Sequence, residues 1–284
     1  MGELRDRMEM DMKLRRLSPK TISCYLACMK GVAKHFRRSP AELGEEEIRG
    51  YLHYLMEEKR ASQSVLVQTY SALKFFFEKT LQREWNGSRI PRSKQRKKLP
   101  GVLSREEVES ILSATGNLKH RAILMTIYSA GLRISEATRL KVSDIDSERM
   151  TIRVNEGKGL KDRYTLLGER NLEILRLYCK MCKPSEWLFP GKNPSEPVSI
   201  SAIQRVFQAS ILRAGIKKRA SVHTLRHSFA THLVEAGVDL YHIQRLLGHK
   251  SASTTTVYLH ITGKDLGKIR SPIDFKGDDQ KPTT

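Results

Sequence analysis

Residues 87–100 divide the chain into two parts with different patterns of apolar residues. This segment, GSRIPRSKQRKKLP, contains Pro91 and Pro100 and no acidic residue. Proline lacks the amide hydrogen that a helix interior needs, and it disfavours the helical conformation in the residue before it. The segment therefore predicts a linker between two domains, residues 1–86 and 101–270, with residues 271–284 as a C-terminal tail.

The first domain is predicted to contain only helices. Ser18 and Pro19 are typical of a helix N-cap and first helical position, and apolar residues follow at helical spacing as far as Phe36. Two more helices are predicted from about Glu45 and about Ser62, because their apolar residues also recur every three to four positions. With a short helix before Ser18, we expect a four-helix unit whose aromatic residues pack in its core.

The second domain is predicted to be α+β. A capping box begins a helix at Ser104, and Gly131 ends another helix as a left-handed C-cap. Residues 151–154 and 163–167 alternate in polarity, which predicts a β-hairpin with the glycine-flanked Lys158 near its tip. The expected fold class is mainly α with a small β-hairpin or sheet. Further helices are predicted at about 169–182, 199–213, 224–236, 239–247 and 253–260.

The net charge of the chain favours nucleic acid as a partner. Lys and Arg number 51 against 31 Asp and Glu, which gives a net charge of +20. An excess of this size is typical of proteins that bind polyanions. No apolar run approaches the ~18 residues of a membrane-spanning helix, and the charged N-terminus is unlike a signal peptide. We therefore expect a cytoplasmic protein that does not enter a membrane.

The basic residues of the linker have two interpretations. They could form a solvated spacer, or they could form a strap that follows DNA phosphates while two domains close around a duplex. The net charge favours the strap. The residues concerned are Arg89, Arg92, Lys94, Arg96, Lys97 and Lys98.

Zinc binding is an alternative that the cysteines and histidines raise. The four cysteines lie in helical patterns without the turn residues of a zinc knuckle. His223 and His227 have a zinc-binding spacing of four residues, yet no Glu lies between them and no third ligand is evident. We therefore expect structural thiols and neither a metal nor another cofactor.

A group of cationic residues followed by a tyrosine suggests chemistry on a phosphodiester. On a helix, His223 and Arg226 would project from one face, because they are three residues apart. Two guanidinium forks, those of Arg133 and Arg226, suit the non-bridging oxygens of a phosphodiester and the extra charge of its transition state. Taken singly, each residue also suits a structural role. The remaining members of the group are Lys158, His249 and Tyr258.

The chain resembles the tyrosine recombinase (phage integrase) family, in its compact Xer-like or mobile-element branch. The tyrosine of the fifth matching element lies nine positions after the histidine of the fourth, and the resemblance covers about residues 1–270. It implies an N-terminal core-binding domain and a C-terminal catalytic domain. In chain order, the matching elements are Ala130-Gly-Leu-Arg-Ile-Ser-Glu136, Gly157-Lys-Gly-x-Lys-x-Arg163, His223-Thr-Leu-Arg-His227, Leu247-Gly-His249 and Thr255-Thr-Val-Tyr258.

The resemblance implies a role for each matching residue. Tyr258 would attack the scissile phosphate, form a 3′-phosphotyrosyl enzyme and free a 5′-hydroxyl. Arg133 and Arg226 would hold that phosphate, and His249 would donate a hydrogen bond to one of its non-bridging oxygens. Lys158 would protonate the leaving 5′-oxygen.

Other matching residues would assist. His223 would help with proton transfer at the tyrosine, and Glu136 would orient its neighbours. Lys161 and Arg163, which follow Lys158 in the same element, are predicted to contact DNA together with the six basic linker residues.

The same resemblance implies an assembly on DNA. The linker and the N-terminal helices would form a C-shaped clamp around double-stranded DNA, and four protomers would exchange strands in pairs through a Holliday junction. The covalent ester conserves bond energy, so neither ATP nor a metal is required. Integration, excision and dimer resolution, each with or without an accessory protein, are all compatible with the sequence.

Two other functions suit parts of the sequence. A type IB topoisomerase shares this chemistry but relaxes DNA as a monomer. A non-catalytic DNA-binding protein would use residues 238–249 and the next helix as a helix-turn-helix. That second function gives no reason for Arg133, Lys158 and Arg226 to accompany the motif.

Overall fold

The structure is a computed structural model that describes residues 2–86, 90, 101–155 and 162–248. The chain forms two compact units, Met1–Lys97 and Lys98–Thr284. The predicted fold class, mainly helical with a small sheet, is confirmed. Among the described residues, no helix combines the length and the apolar character that crossing a bilayer requires.

The described part of the first unit is helical. Its second helix begins as predicted, because the Ser18 hydroxyl accepts a hydrogen bond from the Thr21 amide and Pro19 occupies the first helical position. The helix before Ser18, expected to be short, has 13 residues and buries Met8 and Met12. The helices are α1 (Gly2–Leu14), α2 (Pro19–Phe36), α3 (Glu45–Glu57) and α4 (Gln63–Phe75), and residues 76–80 continue α4 as a π-helical turn.

The apolar residues of these helices form the core of the first unit. Their burial confirms that the aromatic residues of the predicted stripes pack inside. Burying an aromatic side chain contributes more to the hydrophobic free energy of folding than burying a smaller one, because more apolar area leaves water. The buried aromatic residues are Tyr51, Tyr70, Phe76 and Phe77.

The second unit is built around α6 (Leu118–Ser129). Every residue from Ala122 to Ile127 is buried, so this helix is covered on all sides rather than on one face. It ends before Gly131, whose φ of +60° confirms the predicted left-handed turn. The other helices of the described part are α5 (Arg105–Ser113), α7 (Ile134–Thr138), α8 (Glu169–Cys182), α9 (Ile200–Arg213), α10 (Val222–Glu235) and α11 (Leu240–Leu247).

The predicted β-hairpin is part of a three-stranded antiparallel sheet in the order β1-β2-β3. Its strands are β1 (Ile145–Asp146), β2 (Thr151–Val154) and β3 (Arg163–Leu166). In the register of the hairpin, Ile152 pairs with Thr165 and Val154 pairs with Arg163. Strand β1 was not predicted, because two residues are too few to show an alternating pattern. The predicted hairpin tip at Lys158 lies outside the described residues.

The helix pair α10–α11 packs beside this core as a smaller apolar cluster. Phe229 and Val234 from α10 meet Ile243 and Leu247 from α11. The chain turns between the two helices at Gly237, where φ is +81°. Because α10 begins two residues earlier than predicted, His223 lies inside the helix. The helix predicted at 253–260 lies outside the described residues.

Candidate active site

The two arginines predicted to hold a phosphate lie around one carboxylate. Arg133 is the N-cap residue of α7, and its Nη1 donates a hydrogen bond to Glu136 Oε1 at 2.6 Å. Arg226 projects from α10, and its Nη1 lies 3.7 Å from Glu136 Oε2. The fold thus brings together two guanidinium groups that are far apart in the chain.

Glu136 also stabilises the start of α7. Its Oε2 accepts a hydrogen bond from the backbone amide of Arg133 at 2.8 Å, which satisfies one of the amides that a helix N-terminus leaves unpaired. Burial raises the pKa of Glu136, but the hydrogen bonds and charge of Arg163, together with the hydrogen bonds from Arg133, outweigh burial and bring the pKa to about 2. The carboxylate is therefore charged at every pH at which the protein would work.

Arg226 is held in place by backbone oxygens. Its side chain is only 6% exposed, and it donates to the carbonyl of Gly131 through Nη1 and to that of Leu247 through Nη2, both at 2.6 Å. A buried guanidinium needs such partners, because an unpaired buried charge is costly. Gly131 lies close to α10 here, and a Cβ atom on it would come within 2.4 Å of the Phe229 ring.

Arg163 completes this group from β3. Its Nη1 and Nη2 donate to the two oxygens of Glu136 at 2.9 and 2.8 Å, and its Nε donates to the carbonyl of Leu246 at 2.9 Å. The side chain is 10% exposed. Contact between Arg163 and DNA stays a prediction, but all three of its guanidinium nitrogens are engaged by protein oxygens.

The polarity pattern of β3 did not predict the inward position of Arg163, because the apolar Tyr164 and Leu166 alternate with it and would be expected to face the core. In a strand, alternate residues face the same side, and Thr165, two residues on, is buried. Arg163 also pairs with Val154, which is buried on β2. The structure therefore places Arg163 on the core side of the hairpin and leaves Tyr164 and Leu166 exposed. The backbone acceptors at positions 131, 246 and 247 had no sequence signal either, because carbonyl groups are common to all residues.

Arg133 and His223 are the more open members of the group. The Arg133 side chain is 23% exposed, more than either of the other two arginines. His223 is exposed in the first turn of α10. Partial desolvation, followed by the positive charges of Arg226 and Arg133, lowers the pKa of His223. Its imidazole is therefore mainly neutral near pH 7 and able to accept a proton.

The remaining predicted site residues lie outside the described residues. These are Lys158, Lys161, His249, Tyr258 and the linker residues Arg89, Arg92, Lys94, Arg96, Lys97 and Lys98. The described residues end at Gly248, where φ is +62°. The C-terminal end of α11 lies between Arg163 and Arg226, which donate hydrogen bonds to its last carbonyls. His249 is the residue bonded to this glycine.

The described histidines and cysteines do not form a metal site. Over residues 2–86, 90, 101–155 and 162–248, no three His, Cys, Asp or Glu side chains converge as ligands. His232 instead forms a hydrogen bond of 2.8 Å through Nδ1 to the Tyr128 hydroxyl. The four free cysteines lie on helices α2 and α8, as their pattern predicted.

Comparison with known proteins identifies a family for both units. Residues 101–264 match the model of the phage integrase family, and residues 4–87 match that of the phage integrase N-terminal SAM-like domain. The Sinorhizobium fredii protein y4qK, named as an integrase/recombinase, is 44% identical over 276 residues, which is 97% of this chain and 90% of that protein. The tyrosine recombinase XerA of Thermococcus onnurineus is 36% identical over 277 residues, which is 95% of this chain and 94% of that protein.

A solved structure shows the same fold at lower identity. The crystal structure of a lambda integrase tetramer bound to a Holliday junction is 21% identical, with a TM-score of 0.72 over 88% of this chain and 77% of that one.

Proposed function

Because this chain belongs to the phage integrase family and is a site-specific recombinase, we propose that Tyr258 cuts double-stranded DNA and stays joined to it through a 3′-phosphotyrosyl ester. One observation carries this proposal: Arg133 and Arg226 converge on Glu136 from two separate helices. The division of labour follows the two units, with residues 1–86 clamping DNA, 87–100 linking, 101–270 catalysing and 271–284 forming a tail.

The charge balance of the group suits a phosphate. Three guanidinium groups, those of Arg133, Arg163 and Arg226, surround one carboxylate, so the group keeps a net charge of 3 − 1 = +2. A phosphodiester carries one negative charge and gains another in its pentacoordinate transition state. Positive groups that are already in place stabilise the transition state more than the ground state, and they do not need to reorganise during the reaction.

The proposed reaction exchanges one phosphate ester for another. The Tyr258 oxygen forms a bond to phosphorus while the bond from phosphorus to the 5′-oxygen breaks. The tyrosine proton passes to His223, whose neutral imidazole can accept it. Lys158 gives a proton to the leaving 5′-oxygen, and His249 donates a hydrogen bond to a non-bridging oxygen. Rejoining is the reverse reaction with a new 5′-hydroxyl, and it consumes neither ATP nor a cofactor.

We further propose that four copies act together on two DNA sites in the cytoplasm. The tetrameric lambda integrase on a Holliday junction supports this assembly, because it has the same fold. The basic linker residues and Lys161 would follow DNA phosphates. Family membership favours this function over a monomeric topoisomerase or a helix-turn-helix protein without chemistry, although α10 and α11 do form a helix pair.

Trapping the covalent intermediate tests the proposed function. A nicked suicide DNA that carries the native site lets the 5′-hydroxyl product diffuse away, so the protein stays attached and migrates slowly in a denaturing gel. We expect this band with the wild type in EDTA and no band with Tyr258→Phe. Tyr241→Phe is the matched control, because Tyr241 is exposed on α11, and it should give the wild-type band. A band that survives in Tyr258→Phe would show that another residue is the nucleophile.

A further inference from the structure

We propose that Arg163 is a positioning residue, which ties the phosphate-holding Arg133 to the end of α11 from which His249 follows. This inference rests on the proposed function, since it assigns Arg163 a part in preparing the same site. It differs from the DNA contact predicted from the sequence in its expected effect. A DNA contact would contribute to affinity, whereas a positioning residue contributes to the rate of the covalent step.

The first half of the tie runs from Arg163 to Arg133 through Glu136. Arg163 binds both oxygens of Glu136 in a two-pronged arrangement, and the same oxygens accept from the Arg133 side chain and backbone amide. A bidentate pair fixes direction as well as distance. With Arg163 in place, the Glu136 carboxylate is held in one orientation. The Arg133 guanidinium, which is hydrogen-bonded to that carboxylate, is thereby held in one orientation as well.

The second half of the tie runs from Arg163 to α11. The last carbonyls of a helix have no partners within the helix and carry partial negative charge. Here Arg163 Nε donates to the carbonyl of Leu246, and Arg226 Nη2 donates to that of Leu247. Two arginines from different elements thus hold consecutive carbonyls at the point where the chain leaves α11.

Gly248 shows how closely Arg163 approaches this point. A Cβ atom on Gly248 would lie 2.9 Å from Arg163 Cδ and 3.2 Å from its Nε, and the φ of +62° also favours glycine. Arg163 therefore packs directly against the backbone one residue before His249. A shift of about 1 Å in such a site can slow a reaction ~100-fold.

The experiment separates DNA affinity from the rate of the covalent step. Wild type, Arg163→Gln and Arg163→Lys are mixed with the nicked suicide DNA, and three quantities are measured: the Kd for DNA, the rate constant of covalent attachment at saturating DNA, and the melting temperature. Arg170→Gln is the matched control, because Arg170 also pairs with a glutamate, Glu109, but is 73% exposed on α8.

We expect Arg163→Gln to slow covalent attachment by about 100-fold, with a Kd within about threefold of wild type. Arg163→Lys keeps the charge but cannot hold both Glu136 and the Leu246 carbonyl, so it should also be slow, by about 10-fold. It provides the kinetic measurement even if Arg163→Gln does not fold. Arg170→Gln should match wild type in all three quantities.

The pH profile of attachment supplies a readout that simple loss of stability would not change. Glu136 faces Arg133 from α7, Arg163 from β3 and Arg226 from α10. Removal of Arg163 leaves Glu136 buried with fewer opposing charges, so its pKa rises and it takes up a proton at higher pH than in wild type. The ratio of the Arg163→Gln rate to the wild-type rate should therefore fall as the pH is lowered. His223 titrates in both proteins, so the comparison isolates Glu136.

Two results would overturn the inference. One is a weaker Kd for the Arg163 variants with an unchanged rate at saturation, which would make Arg163 a DNA contact. The other is wild-type behaviour in both quantities. Absence of the covalent band in wild type itself would instead contradict the proposed function, so the two failures are distinguishable.

Discussion

At the scale of single residues, Glu136 determines how the three arginines lie. The family resemblance implied that Glu136 would orient its neighbours, and its contacts fit that expectation. What the sequence could not supply was the list of those neighbours, because Arg163 and Arg226 reach Glu136 only through the folding of β3 and α10. Gly131 was predicted as a helix C-cap from its position alone. Its second constraint, the Phe229 ring, is likewise visible only in the folded chain.

Replacing Glu136 by glutamine should destabilise the second unit in a pH-dependent way. The pKa of Glu136 is about 2 in the folded protein against a usual 4.5, a depression that corresponds to about 3 kcal/mol of stability. Because the folded pKa is the lower one, this contribution is complete above pH 4.5 and is lost as the pH falls through about 2. Denaturant unfolding at pH 7 should show wild type more stable by about that amount, and the difference should shrink below pH 4.5.

The control for this measurement is Glu109→Gln, which breaks an exposed pair with Arg170. Exposed ion pairs contribute about 0–1 kcal/mol, so this variant should stay close to wild type. Equal stability of the Glu136→Gln variant and wild type at pH 7 would contradict the central role of this carboxylate.

At the scale of elements, local sequence signals were sufficient to predict a helix wherever residues next to its ends cap it. The predicted bounds of α8 match the observed Glu169–Cys182, and the predicted N-caps of α2 and α5 are observed. Local signals failed for β1, whose two residues pair only because β2 lies beside them. They also misplaced the start of α10 by two residues, because the helix begins at Val222, directly after its N-cap Ser221.

Ser104→Ala should destabilise the second unit by about 1 kcal/mol. The Ser104 hydroxyl accepts from the Glu107 amide at 3.2 Å, and the Glu107 carboxylate accepts from the Ser104 amide at 2.7 Å. Alanine removes the first of these bonds and leaves an amide of α5 unpaired. Thermal unfolding of the variant should show a lower Tm. Ser113→Ala, at the exposed end of the same helix, is the control and should change the Tm little; an equal Tm for both variants would argue against the cap.

At the scale of the whole molecule, the division into two units and the mainly helical class were both predictable. Apolar periodicity and prolines mark where helices start and stop, and the core follows from that pattern. The net charge of +20 indicated only that the partner is a polyanion, because this charge attracts any polyanion whatever its base sequence. The base sequence that a recombinase selects depends on a few side chains in the grooves of DNA, and periodicity and net charge say nothing about them.

Neutralising the linker should reduce the salt dependence of DNA binding. The change replaces three linker residues, Arg96, Lys97 and Lys98, by glutamine. Each phosphate contact contributes about 0.9 to the slope of log K against log salt, so the slope should fall by roughly 2–3 if these side chains follow the backbone. The Kd measured between 50 and 200 mM salt gives the slope directly.

The control neutralises three exposed arginines that already pair with carboxylates: Arg49, Arg149 and Arg170. This variant loses the same formal charge but should keep the wild-type slope. Equal slopes for the linker variant and the control would mean that the linker acts only as a spacer.

The anchoring of α11 limits how far the proposed nucleophile, Tyr258, can lie from the end of that helix. Arg163 and Arg226 hold the chain at Leu246 and Leu247, and Tyr258 lies ten residues beyond Gly248. Ten residues span at most about 35 Å when fully extended. Tyr258 can therefore reach only phosphates within this distance of Gly248, whether those phosphates are bound to its own protomer or to a neighbour. Inserting residues between Gly248 and Tyr258 would let the tyrosine reach more distant phosphates, and removing residues would restrict which phosphate it can attack.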